Sequence, residues 1–256
     1  MKKMKYSFLL VASLCIAGIT HAQEYKIPVG DTKDAKLILE DFTGDLPIEG
    51  YSGSEIVITT GHRFEQNERS KGLKPIYAAG TDNTGIGLSM EKNGNRILLH
   101  CLLPITQSAD YHLRVPENIA LEITRECGKG GNTSVSNIKN EVDFKGCQDI
   151  TLKTVTGPLV ISTISGSVTV AFTEIAKDKP ISISSVSGEV DVTLPAKTPF
   201  SLEMGTVSGN MYSDFDFPSN NEMKRVGGGK LRTDFNGGGT AIRLHSVSGN
   251  VYLRKS

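Results

Sequence analysis

The sequence contains no tryptophan, and its aromatic residues are seven tyrosines and nine phenylalanines. A sugar-binding face built on several tryptophan platforms is thereby excluded, leaving tyrosine as the amphipathic ring that such a face could use. Neither charge is in excess, with 28 basic and 28 acidic residues. That balance supplies no basic footprint for nucleic acid and no polybasic stripe for anionic lipid. Helical periodicity is also missing: no window of a dozen residues keeps an apolar stripe at helical spacing, and 27 glycines punctuate the chain. Beyond residue 22 no apolar run reaches the roughly 20 residues needed to span a bilayer as a helix. The catalytic signatures are equally sparse. No G-x-S-x-G elbow and no H-x-x-x-H pair occurs among the histidines His62, His100, His112 and His245. The glycine clusters Gly227–Gly229 and Gly237–Gly239 lack the following Lys-Ser or Lys-Thr, and the opening helix, of a phosphate loop. No cofactor is implied, and the chain is expected not to be an enzyme.

What is present begins with an export signal. Lys2, Lys3 and Lys5 form a basic region, Phe8 to Ile19 an apolar run, and Thr20-His21-Ala22 a small-residue cleavage site. Cleavage is expected after Ala22, leaving a mature chain that starts at Gln23, is free of transmembrane segments, and resides in the periplasm or at the cell surface. Cys15 follows Leu14 rather than a small residue, which speaks against lipidation there. Loss of Lys2, Lys3 and Lys5 leaves 25 basic residues against 28 acidic ones. The mature chain keeps Cys101, Cys127 and Cys147. Cys127 and Cys147 stand 20 residues apart, near the repeat spacing, so a disulfide between neighbouring rungs is one reading. The other is three small buried apolar side chains.

The dominant signal is internal repetition. A hydroxyl residue, a β-branched residue, a second hydroxyl residue and glycine recur as Thr154–Gly157, Thr163–Gly166, Ser185–Gly188, Thr206–Gly209 and Ser246–Gly249. An alternating run follows each glycine, such as Glu189 to Leu194 or Asn250 to Arg254. Alternation places Val, Ile and Leu on one face and Ser, Thr, Asp and Glu on the other. One such unit cannot bury its apolar face alone, whereas a stack of units can. The expected fold is an all-β solenoid with rungs of about 20 residues, two or three short strands to a rung. Gly157, Gly166, Gly188, Gly209 and Gly249 are expected at corners with positive φ, and Asn140 occupies the equivalent place in a divergent copy at Val135 to Phe144. The 40 residues between Gly209 and Gly249 suggest an intervening rung whose turn has degenerated. Residues 23–256 are expected to form one solenoid domain, less regular over 23–115 and regular over 116–256.

The recurring turns, together with the glycine-punctuated closing segment Lys224 to Arg254, resemble the Toastrack family of bacterial adhesin-type domains, in an exported form similar to versions from Bacteroidetes-type bacteria. The resemblance covers residues 116–256 well and residues 23–115 loosely. It implies a right-angled or flattened β-solenoid, exported or associated with the envelope, that has no established catalytic site.

The candidate ligand-binding residues are Tyr212 and Tyr252, each three residues after a motif glycine and so projecting from the same side of its rung. Their alternative role is ordinary cross-strand packing. Adhesin-like recognition of an envelope glycan or protein is the leading reading. Two others stand beside it. One is a self-associating envelope or stress-response scaffold, with Val247 to Leu253 as its open edge strand. The other is a polysaccharide-active β-helix enzyme using the acid pairs Glu189/Asp191 or Asp214/Asp216.

Overall fold

The structure is a computed structural model that describes residues 23–62, 68–70, 72–73, 76–177, 179–217 and 228–256. The proposed leader with Cys15 and the Ala22–Gln23 junction lies outside the described residues, as do Lys224 to Gly227 of the closing segment. The first part of the chain supplies β1 (Gln23–Pro28), β2 (Lys36–Glu40), β3 (Leu46–Tyr51), β4 (Glu55–Thr60), β5 (Leu88–Asn93), β6 (Arg96–Cys101) and β7 (Tyr111–Pro116). Next come β8 (Ala120–Thr124), β9 (Thr133–Ser136), β10 (Val142–Gly146), β11 (Ile150–Val155) and β12 (Leu159–Thr163). They continue into β13 (Val168–Phe172), β14 (Ile181–Ser185) and β15 (Val190–Leu194). The last part holds β16 (Phe200–Thr206), β17 (Met211–Ser213), β18 (Gly229–Phe235), β19 (Thr240–Ser246) and β20 (Val251–Lys255).

These strands form two ten-stranded sheets facing each other. Sheet A runs β1-β4-β7-β3-β9-β11-β13-β15-β20-β17, and sheet B runs β5-β6-β2-β8-β10-β12-β14-β19-β16-β18. From β8 to β15 the chain alternates between the sheets, so each rung has two strands, and each strand pairs in parallel with its counterpart one rung away. The apolar columns are in register. Leu121, Val142, Leu159 and Ile181 stack in sheet B, and Ile150, Val168, Val190 and Val251 in sheet A. All eight are buried, and one apolar cluster extends from Ile27 to Leu253. Each such side chain contributes about 1.5–3 kcal/mol over its exposed state. The alternation in the sequence is therefore the two faces of each sheet.

The motif glycines work differently from the expectation. None of Gly157, Gly166, Gly188, Gly209 and Gly249 has a positive φ, and neither does Asn140. A Cβ on Gly188 would overlap the carbonyl oxygen of Gly166, one on Gly249 that of Gly188, and one on Gly209 that of Gly249. Close approach of stacked corners, not backbone handedness, demands glycine here. Gly157 belongs to the other corner, where its Cβ would overlap the Asn140 carbonyl. That explains its short spacing from Gly166, since the two glycines open consecutive strands of opposite sheets.

The first hydroxyl of each turn completes the corner. Ser246 Oγ donates to the Gly188 carbonyl at 2.8 Å and accepts the Gly249 N–H at 2.8 Å. Ser185 does the same between Gly166 and Gly188, and Thr206 between Gly249 and Gly209. Thr163 links Gln148 and Gly166 in the same way. All four side chains are buried. Two rungs before Thr163, immediately after the Thr124–Lys145 pair of β8 and β10, stands the buried Arg125. Its guanidinium donates to the carbonyls of Phe42, Gly44 and Gly130 and to Thr133 Oγ1. Burial lowers its pKa, with Asp45 opposing that effect.

Rung order differs from chain order at both ends. The β2–β3 rung lies between β6–β7 and β8–β9, and the β19–β20 rung lies between β14–β15 and β16–β17. The 40-residue interval before Gly249 is thus no degenerate rung. After β17 the chain returns as β18, antiparallel to β16, and its last two strands enter one rung inside the end. Val247 to Leu253 is accordingly no open edge, because β20 is paired on both sides.

Candidate functional site

The insertion of β20 beside β17 builds the candidate site. Their register sets Tyr212 directly against Tyr252, and Tyr252 against Asp191 of β15. The two rings stack with centroids 5.2 Å apart and planes 12° from parallel. Tyr252 is fixed: its hydroxyl donates to Glu189 Oε1 at 3.2 Å and accepts from Asn250 Nδ2 at 3.0 Å. Arg254 lies over the same ring, its guanidinium carbon 5.2 Å from the centroid. It also forms a bidentate pair with Asp191 at 2.8 and 2.9 Å. The hydrogen bonds it donates to Asp191 raise the Arg254 pKa, holding the guanidinium in its charged form. Tyr212, on the outer strand, is 49% exposed. A shallow recess of about 190 Å³ joins these rings to Ser213, Asp214 and Arg254.

The arrangement offers a rigid aromatic surface edged by a held cation and by carboxylates. Such a surface can take the apolar face of a sugar ring, with Arg254 and Asp214 meeting its hydroxyls or substituents. Both acid pairs singled out in the sequence have structural partners. Asp214 accepts the Lys255 backbone N–H at 2.8 Å, Asp216 pairs with Lys255 Nζ at 3.2 Å, Asp191 is bound by Arg254, and Glu189 by Tyr252.

The sequence placed the two tyrosines on one side of the stack, with cross-strand packing as their alternative role, and the 40-residue interval suggested a further rung in that stretch. Arg254 carried no signal of its own; its role follows from β20 lying against β15. The structure joins Cys127 and Cys147 in a disulfide, with Cα atoms 5.2 Å apart, while Cys101 is a buried free thiol. His100 faces Glu40 across β6 and β2, with Nδ1 3.4 Å from Oε2. No group of metal-ligating side chains occurs among the described residues. Gly237 and Gly238 adopt positive φ in the turn leading into β19, a structural use of that cluster.

The fold and its face define the class: a two-sheet parallel β-solenoid with an aromatic patch near one end. The family model Toastrack DUF4097 matches residues 105–254, more than half of the chain, and the chain belongs to that family. Solved structures are similar at low identity. A candidate cell adhesion protein from Clostridium sporogenes is 13% identical with a TM-score of 0.48, covering 92% of this chain and 100% of that one. A candidate adhesin from Bacteroides fragilis is 11% identical with a TM-score of 0.40, covering 92% and 97%. A third, from Parabacteroides distasonis, is 12% identical with a TM-score of 0.31, covering 92% and 98%. No curated protein matches the sequence.

Proposed function

We propose that the chain is an exported, non-catalytic recognition protein of the bacterial envelope or cell surface, and that it presents the Tyr212–Tyr252 platform to an envelope glycan. The stacked pair carries this reading: an exposed ring backed by a second ring that Glu189 and Asn250 hold in place. A fixed aromatic surface binds with little side-chain entropy left to lose. The engagement of Glu189, Asp191, Asp214 and Asp216 in structural contacts supports the absence of hydrolysis, which would need two carboxylates directed at one substrate bond.

The test is a glycan array, with envelope fractions alongside, read for binding and for released reducing sugar. Saturable binding without product is expected, reduced at least tenfold in the Tyr212→Ala/Tyr252→Ala double variant. Product release would replace this reading with an enzyme, and binding unchanged by the double variant would remove the platform.

A further inference from the structure

The outer face of sheet B carries a groove of about 690 Å³ near the same end of the stack. Strand register forms it from two rows. Ser182, Arg243 and Glu203 align across β14, β19 and β16, and beside them align Ser184, His245, Gly205 and Lys230, the last on β18. Gly205 is the feature that needs explaining. It sits inside a strand without positive φ, and a Cβ there would meet the Gly229 oxygen at 3.4 Å and His245 Cδ2 at 3.5 Å, ordinary contact distances. Unlike Gly188, it is not required by stacked backbone. What it does is keep the floor of the groove open, and a glycine within a strand commonly marks close approach of a ligand.

The walls are cationic. Glu203 is held by Lys230 at 2.7 Å and Arg232 at 3.2 Å. The side chains of Arg243 and His245 have no ion pair or hydrogen bond among the described residues, and both residues are exposed. Two permanent cations, Arg243 and Lys230, thus line the groove with one carboxylate, which Arg232 also pairs from the neighbouring recess, and the hydroxyls of Ser182 and Ser184 lie along the β14 side. We propose that this groove is a second binding site, for an acidic saccharide whose sulfate, phosphate or carboxylate group sits over Gly205 between Arg243 and Lys230. Ser182 and Ser184 meet the sugar hydroxyls. The site is independent of the tyrosine platform, which lies on the other sheet, so either assignment can fail alone.

Calorimetric titration of the purified protein with a sulfated hexasaccharide tests this, with a neutral hexasaccharide, inorganic sulfate and anionic vesicles as parallel probes. Saturable binding of the sulfated sugar is expected, weakening as salt rises. Affinity should fall at least tenfold in Arg243→Ala and in Gly205→Leu, and stay unchanged in Lys153→Ala, which removes an exposed cation elsewhere. Thermal melts check that each variant is folded, and Arg243→Ala decides the matter if Gly205→Leu is not. Equal binding of the neutral sugar, an equal loss in Lys153→Ala, no loss in Arg243→Ala, or binding to vesicles or sulfate alone would overturn the proposal.

Discussion

At the scale of single residues, each corner of the solenoid is a contact between a hydroxyl, an amide and a carbonyl from two rungs. Ser246 satisfies the Gly249 N–H and the Gly188 carbonyl together, and its side chain is fully buried. Removing it strands both groups away from water, which costs about 1–3 kcal/mol. Ser246→Ala should lower stability in denaturant unfolding by that amount. Ser187→Ala, which removes an exposed hydroxyl of the same motif, should stay within about 0.5 kcal/mol of the parent. The glycines give a sharper test. If positive φ were the requirement at residue 188, asparagine would substitute for glycine. Since the requirement is room beside the Gly166 carbonyl, Gly188→Asn and Gly188→Ala should both destabilise by about 1–3 kcal/mol or more. At Gly237, which has φ +87° and open space around it, asparagine should be tolerated far better than at 188. Unfolding curves of the three variants would separate the two explanations. The motif was visible in the sequence, but its purpose was not, because nothing local to Val-Ser-Gly records which carbonyl will lie above it.

At the scale of strands and rungs, alternation made the strands and their buried faces legible over residues 116–256. Leu159, Ile161 and Thr163 point inward and Val160 and Ser162 outward, as a period of two requires. Rung order was not legible. Glycine spacing counts the residues between corners, whereas adjacency depends on a chain that returns through β18 and inserts β19–β20 between earlier rungs. The candidate site was half legible for the same reason, with its tyrosines identifiable and their stacking hidden. The insertion has a measurable consequence. In a sequential solenoid, removing the last rung removes mainly its own contacts. Here a chain ending at Phe235 loses the parallel partner of β16 and the only strand partner of β17 among the described residues. Hydrogen exchange should show protection lost over residues 200–217 while β8 to β13 keep theirs. Retained protection in β16 would contradict the inserted order.

At the scale of the whole molecule, a stack of parallel strands has two ends, and each end offers backbone groups to another copy. The described edge strands are β1 and β17 in sheet A, and β5 and β18 in sheet B. Each carries a feature that discourages pairing. β17 spans three residues; β18 alternates Lys230, Arg232 and Asp234; β5 ends in Glu91, Lys92 and Asn93; and β1 places Glu24 and Lys26 outward and closes on Pro28. The β1, β5 and β18 edges also belong to antiparallel pairs, with β4, β6 and β16, unlike the parallel pairing of β8 to β15. Short edges, edge charges and proline are the means by which sheets avoid joining end to end. They set recognition by a single copy against the scaffold reading, which needs open ends. Sedimentation velocity across a tenfold concentration range should therefore give one unchanging monomer species. Replacing the outward charges of β1, as Glu24→Val/Lys26→Val, should make that edge strand apolar on both faces and raise the weight-average mass with concentration. A parent protein that already associates over that range would shift the balance to the scaffold, and a charge-free β1 that stays monomeric would show that the edge charges are not what keeps the copies apart.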